Sequence, residues 1–234
     1  MTFCIGIKTK TGIVALSDTR ISSGLGVSTS KKIQPYQDGN HSFFIMSSGL
    51  RSIRDKVIHY FEDAIENEPM DKLYKVVNLL GNTIKKVRQE DLESLTESKF
   101  TFDSHFIVGG QCSNDKKSSL FLIFPEGNWV EASNESPYSI IGNTGFGKPI
   151  LRRLLHEEVT FDLAIKVAFL SFDATFKNAS DVDFPLDFIL YKNDTFDLQE
   201  FRKEEKDLAK VSHEWNEVLT KAALELPNFL HFDD

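Results

Sequence analysis

The sequence predicts an α+β fold in which layered sheets are covered by helices, and three observations carry that expectation. Strand-like and helix-like apolar patterns come in blocks, in the order strands, two helices, strands, two helices, strand. The chain has 234 residues, of which 41% are hydrophobic, enough to fill a substantial core. No linker, internal repeat or low-complexity stretch divides it, so residues 1–234 are expected to form a single domain.

The elements follow in order. Thr2 to Lys8 (TFCIGIK) and Gly12 to Ser17 (GIVALS) predict a hairpin across the short polar turn Thr9 to Thr11. A Gly- and Ser-rich loop, ISSGLGVSTS, leads to Lys32 and to a further strand starting at Ile33. Phe43 to Ser48 (FFIMSS) predicts a strand that stops at Gly49. Ile53, Val57, Phe61 and Ile65 then lie on one helical face, and Leu73, Val76, Val77, Leu80, Ile84 and Val87 on another, with Pro69 between the two helices. Ser104 to Gly109, Ser119 to Phe124 and Tyr138 to Ile141 predict strands. A helix is expected over PILRRLLHEE, and Thr160 caps another that carries Leu163, Val167, Leu170 and Phe176, with Asp162 favourable at its positive end. Phe188 to Tyr191 predicts a strand, and Leu208, Val211, Trp215, Val218, Leu219 and Ala222 predict an amphipathic helix over about 204–226, ended by Pro227.

Composition excludes several functions. A net charge of −8, from 35 acidic and 27 basic residues with no basic run, argues against general affinity for nucleic acid or an anionic membrane. Cys4 and Cys112 lack zinc-type spacing and form no disulfide framework, which suits a reduced, intracellular and cytoplasmic protein. The opening MTFCIG has neither the basic nor the long apolar region of a signal peptide, and no apolar run reaches membrane-spanning length. His41, His59, His105, His156, His213 and His231 are scattered without metal-ligand pairing, and NASDVD (Asn178 to Asp183) lacks the ligand spacing of a calcium loop, so neither metal nor cofactor is expected.

GNTGFGKP, residues 142–149, follows the GxxxxGK phosphate-loop pattern as far as Lys148. Pro149 then stands where a Ser or Thr would hold Mg²⁺. Proline also suits the first turn of a helix, so this stretch reads as a glycine-rich turn from strand into helix.

The most chemically suggestive feature is the terminus. Methionine is generally removed before a small residue, which would leave Thr2 with both a hydroxyl nucleophile and a free amine. A free α-amino group ordinarily titrates at about pH 7.7–8.0, so part of it is neutral near pH 7 and able to act as base. Asp18 ends the second hairpin strand, which returns it towards Thr2. A lysine such as Lys32 favours the deprotonated hydroxyl by charge attraction, and an aspartate beside it holds it in place.

With these residues in view, TFCIGIKTKTGIVALSDTR, KKI and SSG resemble the opening of proteasome beta-type peptidases, the N-terminal threonine members of the Ntn-hydrolase group. GNTGFGKPILRRLL, FDATF followed by PLDFILY, and HEWNEVLTKAALELP are similar to the bacterial proteasome-related family called Anbu. The resemblance implies a four-layer αββα sandwich of two antiparallel sheets, with an added C-terminal helix and self-assembly into a ring or helical stack. It also implies that Thr2 is the nucleophile, that Asp18 and Lys32 are the charged pair beside it, that the Gly49 N–H stabilises the oxyanion, and that Arg20 is a structural partner near the acidic residue. Two positions depart from the pattern. Phe146 replaces the serine of a TGSG segment, and KNAS keeps Ser180 near the amine but has Lys177 at the acidic position.

The expected activity is therefore N-terminal threonine hydrolysis of a peptide or other amide. A small-molecule amidohydrolase on the same scaffold and a non-catalytic self-assembling protein are the alternatives.

Overall fold

β1 (Phe3–Thr9) and β2 (Gly12–Asp18) are buried at nearly every position, as strands covered on both faces must be. Their side chains divide by the period of two. Phe3, Ile5 and Ile7 with Val14 and Leu16 face one way, and Cys4 with Ile13 and Ala15 the other. The same division recurs in β6 (His41–Ser48), where Phe43 and Ile45 enter a different core from Phe44 and Met46.

These strands belong to two antiparallel sheets of five in a computed structural model that describes residues 2–23, 26–66, 68–156 and 158–228. The remaining strands are β3 (Arg20–Ser23), β4 (Gly26–Thr29), β5 (Ile33–Gln37), β7 (His105–Cys112), β8 (Ser119–Ile123), β9 (Trp129–Glu131), β10 (Tyr138–Gly142), β11 (Leu186–Lys192) and β12 (Leu198–Lys203). One sheet has the order β10-β1-β2-β11-β12 and the other β5-β6-β7-β8-β9. A core of Cys4, Ile13, Ile33, Phe44, Met46, Ile107, Leu120, Ile141 and Ile189, among others, joins them face to face.

The outer faces are covered by helices. α1 (Arg51–Ile65) and α2 (Leu73–Glu97) pack Ile53, Val57, Phe61, Val76, Leu80 and Ile84 on the β5–β9 sheet. α3 (Lys148–Leu154) and α4 (Phe161–Phe176) cover the other sheet with Leu151, Ala164, Val167 and Phe172. The Thr160 hydroxyl accepts from the Leu163 N–H at 3.3 Å and caps α4. The result is the expected α+β sandwich of four layers.

α5 (Glu205–Leu224) is the added helix, begun by a capping box between Glu204 and Asp207. Leu208 and Trp215 pack against the core under α4, and Ser212 Oγ donates to Asp173 Oδ1 at 2.7 Å. Its other apolar residues, Val211, Val218, Leu219 and Leu224, are exposed.

Four segments differ from expectation. The Gly- and Ser-rich stretch after Arg20 is a two-stranded ribbon, β3 with β4, whose residues 24 and 25 lie outside the described ones. β9 and β12 were not anticipated: β9 spans three residues, and β12 buries only Leu198, so neither displays the apolar alternation that marks a strand. α3 is also shorter than PILRRLLHEE, because the backbone of Leu155 turns extended.

Candidate active site

Thr2 immediately precedes β1 and is held from both sides. Phe3 beside it is fully buried, with its ring edge-on to Phe172 of α4 at 5.7 Å. On the other side the Thr2 carbonyl accepts from the Asn143 N–H at 2.7 Å. Phe3 pairs with Gly142 of β10, which has φ +85. A Cβ at Gly142 would lie 1.8 Å from the Thr2 carbonyl oxygen, so only glycine fits there.

The β1–β2 hairpin brings Asp18 back to this point. Asp18 is fully buried, and its Oδ1 accepts from the Phe3 N–H at 2.8 Å and from Lys32 Nζ at 2.7 Å. Lys32 is itself buried and reaches Asp18 from the segment entering β5. Burial pushes the Asp18 carboxyl above its ordinary value, and the charge and hydrogen bond of Lys32 oppose that rise. Burial also pushes the thiol of neighbouring Cys4 far up, which keeps it protonated.

Thr2 and Lys32 open into a cleft of about 890 Å³. The end of β6 forms another part of its lining, through Ser47, Ser48 and Gly49. Gly49 has φ +114, and a Cβ there would meet the Asp103 carbonyl oxygen at 2.2 Å. Thus the structure brings Thr2, Asp18, Lys32 and Gly49 together from four separate segments. Thr2 has a buried cation and a glycine backbone in the same cleft, an arrangement able to stabilise a deprotonating hydroxyl and to receive an oxyanion.

Ser180 is not part of that group: it is exposed after α4 and does not line the cleft. Phe146, in the TGFG turn, is also exposed and outside the lining, although Thr144 and Lys148 of the same turn are in it. Arg20 lines the cleft and donates from Nη1 to Asp183 Oδ2 at 2.5 Å, so its carboxylate partner is Asp183 rather than Asp18. Cleft residues absent from the sequence-based site are Arg51, Arg54 and Asp103, and His105, read there only as one of six scattered histidines, is in the lining too. For Arg51 and Arg54 a signal was available, since both follow Gly49 within one and a half helical turns. Lys177, at the expected acidic position, pairs with Asp173 at 3.0 Å and donates to Ser212 of α5. Met1 and His231 lie outside the described residues. Among the described residues no group of His, Cys, Asp and Glu is arranged to hold a metal ion, and no helix is long and apolar enough to cross a membrane.

A family model described as Proteasome subunit matches residues 2–184. A proteasome subunit alpha from Methanoregula boonei is 26% identical over 213 residues, spanning 87% of this chain and 81% of the relative. Among solved structures, an Anbu (Gly-1) mutant from Hyphomicrobium sp. strain MC1 is 27% identical with a TM-score of 0.89, over 99% of this chain and 100% of that one. The helical assembly of the Anbu complex from Pseudomonas aeruginosa has a TM-score of 0.89 at 24% identity, covering 97% of both chains.

Proposed function

The chain belongs to the proteasome subunit family, and from that premise we propose that it is an N-terminal threonine hydrolase of peptide or other amide bonds. The observation that carries this reading is the placement of Thr2 at the cleft, with the buried Asp18–Lys32 pair beside it and Gly49 in the same lining. After removal of Met1, the Thr2 amine takes the hydroxyl proton as Oγ attacks the carbonyl carbon. The Lys32 charge stabilises the deprotonating oxygen, and the Gly49 N–H receives the oxyanion. The C–N bond then breaks, the leaving amine takes the proton, and an ester joins the acyl group to Thr2. Water adds to that ester with the amine again as base, releasing the acid and restoring the hydroxyl.

Intact-mass analysis tests this directly. The expected result is a mature chain lacking Met1 that gains one adduct with a threonine-directed electrophile, while Thr2→Ala gains none. Retention of Met1, or an equal adduct on Thr2→Ala, refutes the mechanism. A chain that lacks Met1 yet takes no adduct would favour the second reading, a non-catalytic assembly protein. Ser180 and Phe146, both away from the cleft lining, give that reading its specific support.

The protein is further proposed to act as a cytoplasmic homo-oligomer, a setting that suits two buried free thiols. The exposed apolar residues of α5 and the assembly recorded for the Pseudomonas aeruginosa relative support self-association. Light scattering should return a multiple of the 26.6 kDa chain mass.

A further inference from the structure

The chain as a whole is acidic, at −8, yet the cleft is not. Its lining holds Arg20, Lys32, Arg51, Arg54 and Lys148 against a single carboxylate among the described residues, Asp103. Asp103 is turned to His105 Nδ1 at 3.1 Å. Counting the carboxylates behind the wall, Asp18 offsets Lys32 and Asp183 offsets Arg20. The remaining cations gather at two places, the N-terminal turns of α1 and the start of α3.

At α1, one carboxylate serves two arginines. Asp55 accepts from Arg54 through Nε at 2.9 Å and Nη2 at 2.7 Å, and from Arg51 through Nε alone at 3.2 Å. Among the described residues the terminal nitrogens of Arg51 meet no carboxylate, which leaves them for a planar, two-oxygen acceptor. Lys148 lines the same cleft from the start of α3. Position then matters as much as charge. Arg51 and Arg54 follow Gly49 by two and five residues, so they stand next to the backbone where the attacked carbonyl oxygen is received. Half-buried Arg54 also acts electrostatically on Cys4, two residues from Thr2.

We infer that this cleft selects substrates whose acyl residue carries a carboxylate, namely peptides with Asp or Glu on the amino side of the cleaved bond, held by Arg51 and Arg54. The inference rests on the hydrolase reading above for the direction of the substrate, and its test separates the two. Three peptide epoxyketones, identical except for Glu, Leu or Lys beside the electrophile, are reacted with the full-length protein and followed by intact mass. The Glu compound is expected to label Thr2 roughly tenfold faster or more than the other two. Equal or faster labelling by Leu or Lys overturns the charge selection and leaves the hydrolase reading intact.

A binding measurement covers the opposite case. Fluorescent peptide amides ending in Glu, Leu or Lys are titrated into Thr2→Ala protein, which lacks the nucleophile. Tightest binding of the Glu peptide supports the charge selection even if no epoxyketone labels the wild type, an outcome that would sink the hydrolase alone. Tightest binding of Leu or Lys overturns it. In Arg51→Glu/Arg54→Glu the preference should pass to Lys, and a folded double variant that still prefers Glu refutes the assignment. Should that variant fail to fold, the wild-type panel and the binding series decide.

Discussion

Asp18 shows how a charge is retained in a core at the residue scale. It is fully buried, one oxygen carries both hydrogen bonds, and the other has no partner among the described residues. Lys32 is thus the principal influence keeping the carboxylate ionised. In Lys32→Met the folded-state pKa of Asp18, already raised by burial, should climb further above the unfolded value of about 3.9. A carboxyl raised in the folded state costs stability above the unfolded pKa, and that cost is relieved as pH falls through the folded pKa. Lys32→Met should therefore lose about 3–5 kcal/mol near pH 7. Urea unfolding should show the deficit narrowing on acidification, and Asp18→Asn/Lys32→Met recovering part of it. A deficit equal at pH 5 and 7 would exclude the unpaired carboxylate as its cause. The approach of Asp18 to Thr2 was legible in the sequence because the β1–β2 hairpin returns that strand end to the terminus, whereas Lys32 arrives from the segment entering β5, outside that hairpin. Ser180 was not placed correctly by its motif, since an exposed loop position is set by how α4 ends and not by its neighbours in the chain.

Elements differ in how plainly they are written. β1, β2, β6 and β7 are apolar on both faces, and α1, α2 and α4 keep helical spacing over several turns, so burial alone marks them. β12 (LQEFRK) is an edge strand exposed beyond Leu198, and its strand character comes from pairing with β11 rather than from its own pattern. The turn after β10 shows an element acting on the site. Gly142 lets β10 end against the Thr2 carbonyl, so Gly142→Ala should destabilise by about 1–3 kcal/mol. It should also slow electrophile labelling of Thr2. Gly145→Ala, where a Cβ meets nothing within 4 Å, is the control and should leave both unchanged. Matching melting temperatures for the two variants would show that Gly142 does not hold the terminus.

For the whole molecule, three apolar layers do most of the work: one between the sheets and one beneath each pair of helices. α5 contributes no fully buried residue and is attached through Leu208, Trp215, the Asp173–Ser212 contact and the hydrogen bonds of Lys177 to Ser212 and Asn216. Trp215→Ala should lower the opening free energy of this helix by about 1–3 kcal/mol. Hydrogen exchange should then accelerate across 205–224 and stay unchanged in α1. Equal acceleration in both helices would mean that α5 supports the entire core. The amphipathic spacing of α5 was readable in advance, but the spacing treats Leu208 and Val218 alike, and only packing half-buries one and exposes the other.

What the sequence by itself determined is local and periodic: which segments are strands or helices covered by apolar layers, that Thr2 stands just before the first strand, and that Asp18 ends the hairpin strand returning towards it. Tertiary structure decided which residues share the cleft, since the sequence points to Gly49 only through a family resemblance and to neither arginine of α1. Gly49 arrives there from the second sheet, and Arg51 and Arg54 from the first turns of α1, because the two sheets stack face to face. Periodicity reports whether a residue is buried or exposed within its own element. It does not report which distant element lies opposite, and that is settled by the packing of the whole core.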